Sequence, residues 1–294
     1  MTSSSGSSAT SSPSVPSSPR VPKGRPENLF PLFAEAVKLP GIGPRLQKLL
    51  EKLTGISHLP FHGFSVATNP VAKSRMSALV FAKLLQKKSK KPAILHLTVR
   101  DHNRLGLQSE LWGARALGID PVIAVTGDPS ASLPDTPTTT VNDLSVFELV
   151  TMAGESGLHT GCVLDFRPEV DGLDHEIHRI EKKIAAGAKF VVTQPVYDEQ
   201  TAARISKAVT PFQTPVIMGI LPLLSIRHAV FLHDKVAGIA VPENLRQQIQ
   251  ETDDPLGLCK EQSRQMLDLA KQYFDGACIM PPFDRFDILP DILN

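Results

Sequence analysis

Short apolar runs alternate with amphipathic stretches along this chain from Phe64 onward. The runs are short and bounded by polar or turn-forming residues, which is typical of buried parallel strands. We predict seven strands, at residues 64–67, 94–99, 122–126, 161–164, 190–193, 216–220 and 277–280. Helical periodicity lies between them, most clearly at residues 71–87, 104–117 and 173–186. This alternation predicts parallel strands joined by right-handed crossovers.

The predicted fold class is α/β, a (β/α)8 barrel of the TIM type, with one strand of the eight unaccounted for. Residues 27–61 carry apolar positions at near-helical spacing, and Pro44 suits the first position of a helix. We therefore predict a helical hairpin over residues 27–61. On this interpretation the first barrel strand is lacking or replaced, and the barrel occupies residues 62–294.

Composition adds a third segment and limits the class of protein. Residues 1–26 are mostly Ser, Pro, Thr, Gly and Ala, so we expect a disordered tail. The whole chain has a formal net charge of +1, which does not indicate a dedicated nucleic-acid protein. Three cysteines without a CxxC pair favour a reducing compartment, and no run suggests a membrane span. We expect a cytoplasmic protein, and whether it forms a homo-oligomer stays open.

Polar residues follow the predicted strands, where a barrel of this kind builds its site. The set comprises Thr68, Asn69, His96, Thr98, Arg100, Asp101, Asp128, Asp165, Arg167, Thr193, Gln194 and Asp284. From this pattern alone an enzyme and a non-catalytic ligand-binding barrel are equally compatible. His175 and His178 lie three residues apart on a helix, but no third ligand accompanies them, so we expect no metal site.

Four motifs in order resemble methylenetetrahydrofolate reductases. They are His96-Leu97-Thr98, Gly127-Asp128, the run from Thr193 to Asp198 (TQPVYD), and Gly219-Ile220-Leu221-Pro222. The resemblance covers residues 62 to the end. It implies a TIM barrel that binds FAD, takes hydride from NADH or NADPH, and converts 5,10-methylenetetrahydrofolate to 5-methyltetrahydrofolate for methionine synthesis.

The resemblance also implies roles for particular residues. Asp128 matches the family aspartate beside flavin and folate, and Gln194 matches the glutamine that hydrogen-bonds the pterin; both are the catalytic candidates. Contacts with FAD are implied for His96, Thr98, Asp128, Asp165, Arg167, Glu176 and Lys183. Contacts with folate are implied for Gln194, Tyr197, Phe231 and Leu232, the last two lying where the family places an aromatic residue.

Two features near the N-terminus depart from that family. Its members open with a strand that carries a glutamate, thought to be the general acid in opening the substrate's five-membered ring. We predict no such strand, because Glu35 and Glu51 both lie in helical patterns. Residues 25–53 instead resemble the N-terminal segment of bacterial fork-remodelling DNA helicases. Within this segment the chain has a turn at Leu39–Pro44 (LPGIGP) of a kind that also occurs in helix-hairpin-helix modules.

Three hypotheses follow. The first is a flavin-dependent reductase of one-carbon metabolism. The second is a barrel that binds folate or flavin but has lost full turnover, since the acid and one strand are not found. The third is a nucleic-acid-binding module fused to a barrel, although the near-neutral charge does not favour it.

Overall fold

Eight parallel strands close into a barrel in the computed structural model of this chain. The structure describes residues 30–36, 44–127, 139–141, 143–165, 172–236 and 238–294. The strands are β1 (Leu32–Ala36), β2 (Gly63–Val66), β3 (Ala93–Thr98), β4 (Val122–Val125), β5 (Thr160–Leu164), β6 (Phe190–Pro195), β7 (Val216–Ile220) and β8 (Gly276–Ile279). Each pairs with its neighbours in sequence, and β1 pairs with β8. The predicted barrel fold is thereby confirmed.

Helices connect the strands and surround the barrel. They are α1 (Pro44–Gly55), α2 (Ala78–Ser89), α3 (Arg104–Leu117), α4 (Val146–Glu155), α5 (Gly172–Ala185), α6 (Glu199–Val209), α7 (Ile226–Lys235), α8 (Glu243–Glu251), α9 (Pro255–Tyr273) and α10 (Leu289–Leu293). Three of them, α7 to α9, lie between β7 and β8. Among the described residues no helix combines the length and hydropathy needed to cross a membrane.

The strand that closes the barrel lies where the sequence predicts a helix. β1 pairs with β2 through Phe33 opposite Gly63, and with β8 through Phe33 opposite Cys278. The predictions of a missing first strand and of a helix at residues 32–36 are therefore wrong. The helix beginning at Pro44 is confirmed as α1, while residues 37–43 lie outside the described part of the chain.

The pairing of β1 with β2 and β8 explains why the local sequence pattern led to a wrong prediction of a helix. Leu32–Ala36 (LFAEA) consists largely of good helix formers, and its apolar spacing fits either a helix or a short buried strand. Without β1, however, β2 and β8 would each present an unpaired edge in the barrel wall. Hydrogen bonding on both sides of β1 therefore outweighs its intrinsic helical preference.

Apolar side chains fill both the inside of the barrel and the space between strands and helices. The inner cluster contains Ile94, Ile123, Val192, Ile217 and Cys278, one each from β3, β4, β6, β7 and β8. The outer cluster is larger and packs the outward faces of all eight strands against the helices. Filling the lower barrel with apolar groups leaves chemistry to the carboxyl ends of the strands.

The closure of β1 on β8 depends on a close backbone approach at Gly276. A Cβ atom at this position would lie 2.6 Å from the carbonyl oxygen of Pro31, which precedes β1. We predict that Gly276→Ala lowers the free energy of unfolding by about 1–3 kcal/mol, because the backbone must shift to relieve the overlap. The urea midpoint of the purified variant measures this effect.

Gly154 on α4 provides the matched control, because no heavy atom lies within 4 Å of a Cβ placed there. Gly154→Ala should raise stability by about 0.5–1 kcal/mol, as expected for alanine replacing glycine in a helix. Equal effects of the two substitutions would contradict the close packing of β1 against β8.

Candidate active site

Four polar side chains meet inside the barrel where the strands β8, β1, β2 and β3 run side by side. Glu35, Ser65, His96 and Cys278 all line one small cavity of about 10 Å³. Glu35 lies directly opposite Ser65 in the pairing of β1 with β2. The barrel closure therefore brings together a carboxyl, a hydroxyl, an imidazole and a thiol that are far apart in sequence.

The ionisation of Glu35 is strongly altered by this position. Burial raises the pKa of its carboxyl from 4.5 to about 7, because the charged form loses its hydration. The remaining walls of the cavity are largely apolar, with Phe33, Ile94 and Ile123 among them. Glu35 is thus a carboxylic acid that keeps its proton to a much higher pH than an exposed glutamate does.

His96 contributes a neutral ring to the same cluster. Its Nε2 atom lies 2.7 Å from the hydroxyl oxygen of buried Ser65. Burial lowers the pKa of His96 from 6.5 to about 4, so the ring is uncharged at neutral pH. Burial, followed by the charge of Glu35, also raises the pKa of Cys278. Because neither neighbour carries a positive charge, nothing in the cluster stabilises the ionised form of Glu35.

Gln194 reaches the mouth of the barrel through an irregularity in β6. The register between β6 and β7 shifts between Val192 and Pro195. The backbone N–H of Gly219 donates to the hydroxyl of Thr193 over 3.0 Å, which fixes the shifted strand. The bulge therefore sets the direction of Gln194, in keeping with the frequent use of bulges beside active sites.

Gly238 brings Asp165 and Gln194 together. It follows α7 with a φ of +82°, a conformation that favours glycine. A Cβ atom there would lie 2.2 Å from Oδ1 of Asp165 and 3.4 Å from Cγ of Gln194. Two of the predicted site residues, from the ends of β5 and β6, thus pack against one backbone segment.

A groove of about 430 Å³ extends outward from Gln194 between α6 and α8. Its lining includes Arg204 of α6, His233 of α7, and Glu243 and Arg246 of α8. Arg246 is paired with Glu243, and the groove therefore carries mixed charge. It opens directly beside the amide that the sequence assigns to the pterin.

Thr98 and its neighbours at the end of β3 connect the loops around the mouth. The buried Arg100 donates through Nε to Asp101 over 2.6 Å and through Nη2 to the carbonyl oxygen of Asn69 over 3.1 Å. Burial opposes ionisation of Asp101, but hydrogen bonds from Arg100, Asn69 and Thr98 lower its pKa overall. Thr98 is buried, and its hydroxyl has no hydrogen-bond partner of standard geometry among the described residues.

Glu176 and Lys183, both predicted to contact FAD, form a buried ion pair on α5. Their side chains are 7% and 6% exposed, and Nζ lies 3.2 Å from Oε1. Lys183 also donates to the carbonyl oxygen of Val163 over 2.6 Å, and Glu176 accepts from the N–H of Asp165 over 3.1 Å. The implied contacts with FAD stay predictions, and each would compete with this pair.

The four predicted folate contacts divide into accessible and buried side chains. Gln194 lines the groove, and Phe231 on α7 is 54% exposed. Leu232 is buried in a small apolar cluster beneath α7. Tyr197 belongs to the same cluster, and its hydroxyl donates to the carbonyl oxygen of Leu221 over 3.2 Å. Phe231 rather than Leu232 therefore presents a free side chain.

Two predicted site residues, Asp128 and Arg167, lie outside the described residues, and their roles stay predictions. The sequence analysis missed Glu35, Ser65 and Cys278 as site residues. For Glu35 a signal existed, because a single acid inside an apolar run indicates a buried carboxyl. Within the part of the chain that the structure describes, no group of three His, Cys, Asp or Glu side chains could hold a metal ion.

Comparison with known proteins gives one matching family. The sequence model of the methylenetetrahydrofolate reductase family matches residues 37–266. The chain is 23% identical over 222 residues to methylenetetrahydrofolate reductase 2 of Schizosaccharomyces pombe. That match covers 69% of this chain but 34% of the yeast protein, so the chain spans about a third of this relative's length.

Solved structures show the same fold at low identity. An uncharacterized protein from Clostridium thermocellum that binds two copies of 5-methyl-5,6,7,8-tetrahydrofolic acid superposes with a TM-score of 0.62 and 16% identity, covering 90% of this chain and 92% of that one. Oxaloacetate acetylhydrolase superposes with a TM-score of 0.51 and 10% identity, covering 90% of this chain and 79% of the enzyme. At these identities the superpositions establish the barrel fold alone.

The raised pKa of Glu35 makes stability depend on pH. Since the folded-state pKa of about 7 exceeds the ordinary glutamate value of 4.5, the contribution of Glu35 to stability is fully present below pH 4.5 and is lost as pH rises through about 7. We predict that Glu35→Gln is more stable than the parent at pH 8 by up to about 3 kcal/mol, with a much smaller difference at pH 5. Urea unfolding of both proteins at the two pH values measures this.

Glu51→Gln on α1 serves as the control, since Glu51 is exposed and should give no such pH-dependent gain. A Glu35→Gln protein that is no more stable than the parent at pH 8 would show that burial does not penalise this carboxylate.

Proposed function

Because this chain belongs to the methylenetetrahydrofolate reductase family, we propose that it reduces 5,10-methylenetetrahydrofolate to 5-methyltetrahydrofolate with FAD as cofactor and NADH or NADPH as hydride donor. The observation that carries the proposal is Glu35, a carboxyl on the first barrel strand whose pKa is raised to about 7 by burial. The Clostridium thermocellum neighbour supports a folate ligand, since it binds the product of this reaction.

Glu35 is positioned to act as a general acid. Opening the five-membered ring of the substrate breaks a carbon–nitrogen bond, and the departing nitrogen must receive a proton. A carboxyl with a pKa near the working pH both holds that proton and releases it readily. On this proposal Glu35 of β1 takes the role of the glutamate that the family resemblance leads us to expect.

The neighbours of Glu35 keep it in the acid form. A protonated histidine beside the carboxyl would lower its pKa, whereas His96 is neutral and is held by Ser65. Cys278 adds no positive charge either. In this interpretation the cluster sets the proton affinity of Glu35, and the apolar cavity walls exclude the bulk water that would hydrate its ionised form.

Gln194 supplies recognition at the mouth. Its amide offers both a donor and an acceptor, which suits the edge of a pterin. The bulge in β6 and the contact with Gly238 restrict its orientation. The groove beside it provides room for the remainder of a folate molecule.

The described residues fit the flavin ring of FAD better than they fit the phosphates of FAD. His96, Thr98 and Gln194 are uncharged groups in or at the end of their strands, and Gly238 allows the backbone to approach Gln194 closely. Lys183, the predicted phosphate ligand, is occupied by Glu176. The chemistry that a bound FAD supplies is acceptance of a hydride from the nicotinamide and its donation to the folate.

The structure also bears on the two other hypotheses, a barrel that has lost full turnover and a nucleic-acid-binding module. Loss of turnover was suggested by a missing strand and a missing acid, and both β1 and Glu35 are present. The segment resembling a DNA-binding turn falls at residues 39–44, of which 39–43 lie outside the described residues. No observation on the described part favours nucleic acid over folate.

Separate measurement of the two half-reactions tests the proposal. We predict that Glu35→Gln retains reduction of flavin by NADH within about threefold, because no ring is opened in that step. Reduction of 5,10-methylenetetrahydrofolate by the reduced protein should fall by about 10²–10⁴-fold, the usual contribution of a general acid. Anaerobic stopped-flow absorbance of the flavin follows both steps.

In the parent protein the folate step should slow as pH rises through about 7, since Glu35 then loses its proton. Glu51→Gln should behave as the parent in both half-reactions. A purified parent protein that binds no flavin when FAD is added would refute the proposal, as would equal slowing of both half-reactions in Glu35→Gln.

A further inference from the structure

Phe283 stands out in the loop after β8 because its backbone and its side chain are both in unfavourable positions. Its φ is +55°, and the next residue, Asp284, has a φ of +58°. Two consecutive non-glycine residues in the left-handed region are uncommon. The side chain of Phe283 is nevertheless 56% exposed, so burial of the ring does not compensate for this backbone. Such strain is concentrated at functional sites.

His228 holds the ring of Phe283 from one side. The two ring centroids lie 5.0 Å apart, with an angle of 58° between the planes. The buried His228 belongs to the first turn of α7, and its Nδ1 accepts from the N–H of Leu224 over 3.4 Å. Burial lowers the pKa of His228, which keeps its ring uncharged. One side of Phe283 is thereby supported, while much of its surface remains open to solvent.

The strand register locates this ring relative to Glu35. Ala34 lies opposite Ile279 in the pairing of β1 with β8, so Glu35 is level with Met280. Phe283 follows Met280 by three residues, beyond the carboxyl end of β8. The loop that carries the ring therefore rises at the mouth next to the strand that carries the acid. Phe231, also exposed, lies one helical turn after His228 on α7.

We propose that the exposed face of Phe283 is a stacking platform for a flat ring of the folate ligand. This inference rests on the proposed function for the identity of the ligand. An aromatic ring offers stacking and apolar contact without hydrogen-bond demands, which suits a ligand whose polar edge is bound elsewhere by Gln194. The fixed φ values and the contact with His228 hold the ring in place before the ligand arrives, which reduces the entropy lost on binding.

Replacing the ring and relieving the backbone separately provides the test. Phe283→Gly removes both the ring and the conformational penalty, while Asp284→Gly removes the penalty at the adjacent position together with its carboxylate and keeps the ring. Phe283→Tyr keeps the ring, and Phe283→Leu keeps an apolar side chain without one. Titration calorimetry with 5-methyltetrahydrofolate gives the Kd of each purified protein, and thermal unfolding gives its Tm.

We expect Phe283→Gly and Phe283→Leu to bind about tenfold more weakly than the parent, the range of an aromatic stacking contact. Phe283→Gly should keep a Tm at or above that of the parent, because glycine adopts this φ freely. Phe283→Tyr and Asp284→Gly should bind within twofold of the parent. A Kd within twofold of the parent for Phe283→Leu would overturn the inference, whatever the stability of the glycine variant.

The outcomes also separate this inference from the proposed function. If the parent reduces folate and the Kd is unaffected by loss of the ring, only the platform is wrong. If the parent binds 5-methyltetrahydrofolate through Phe283 but shows no flavin turnover, only the reductase proposal is wrong. A parent protein that does not bind 5-methyltetrahydrofolate overturns the platform.

Discussion

The pairing of β1 with both β2 and β8 is the interaction on which the rest of this structure depends. It closes the barrel, and in doing so it carries the carboxyl of Glu35 into a cavity lined largely by apolar side chains. Without that closure Glu35 would be an ordinary solvated acid. With it, the loss of hydration raises the pKa of Glu35 to about 7. The pairing that closes the barrel is therefore also the cause of the raised pKa of Glu35.

The cluster around Glu35 shows how a barrel can maintain such a group. A buried carboxyl is commonly stabilised in its ionised form by a cation or by several N–H donors. The arrangement here is different, since His96 is neutral and hydrogen-bonded to Ser65, and Cys278 is a thiol whose pKa is raised. The barrel gives up some stability at neutral pH, and holds a carboxyl whose pKa is raised into the neutral range. Stability is commonly exchanged for activity at such sites.

Much of the barrel could be predicted from sequence, because buried parallel strands and amphipathic helices leave strong periodic patterns. The predicted strand at residues 216–220 and helix at residues 104–117 coincide with β7 and α3, and the other predicted strands shift by at most two residues at either end. β1 could not be predicted, because its short apolar run contains good helix formers and its strand character arises from pairing with distant neighbours.

In the candidate site, too, some residues could be predicted from the sequence and others could not. Gln194 and His96 were singled out because they lie in recognisable motifs at strand ends; in the structure Gln194 lines the groove and His96 lines the small cavity, and their roles stay predictions. Ser65 and Cys278 carry no signal in sequence, since their role arises only when four strands meet. The pairing of Glu176 with Lys183 was likewise invisible, because seven residues on a helix place two side chains on one face without showing that they are buried together.

The most direct test of this account is the ionisation of Glu35 itself. Carbon-13 NMR of protein labelled at the glutamate side-chain carboxyls, with Glu35→Gln used to assign the signal, gives the pKa of that carboxyl alone. The account predicts a titration near pH 7, well separated from the exposed glutamates. A midpoint between about 4 and 5, the ordinary range for a solvated glutamate, would contradict it.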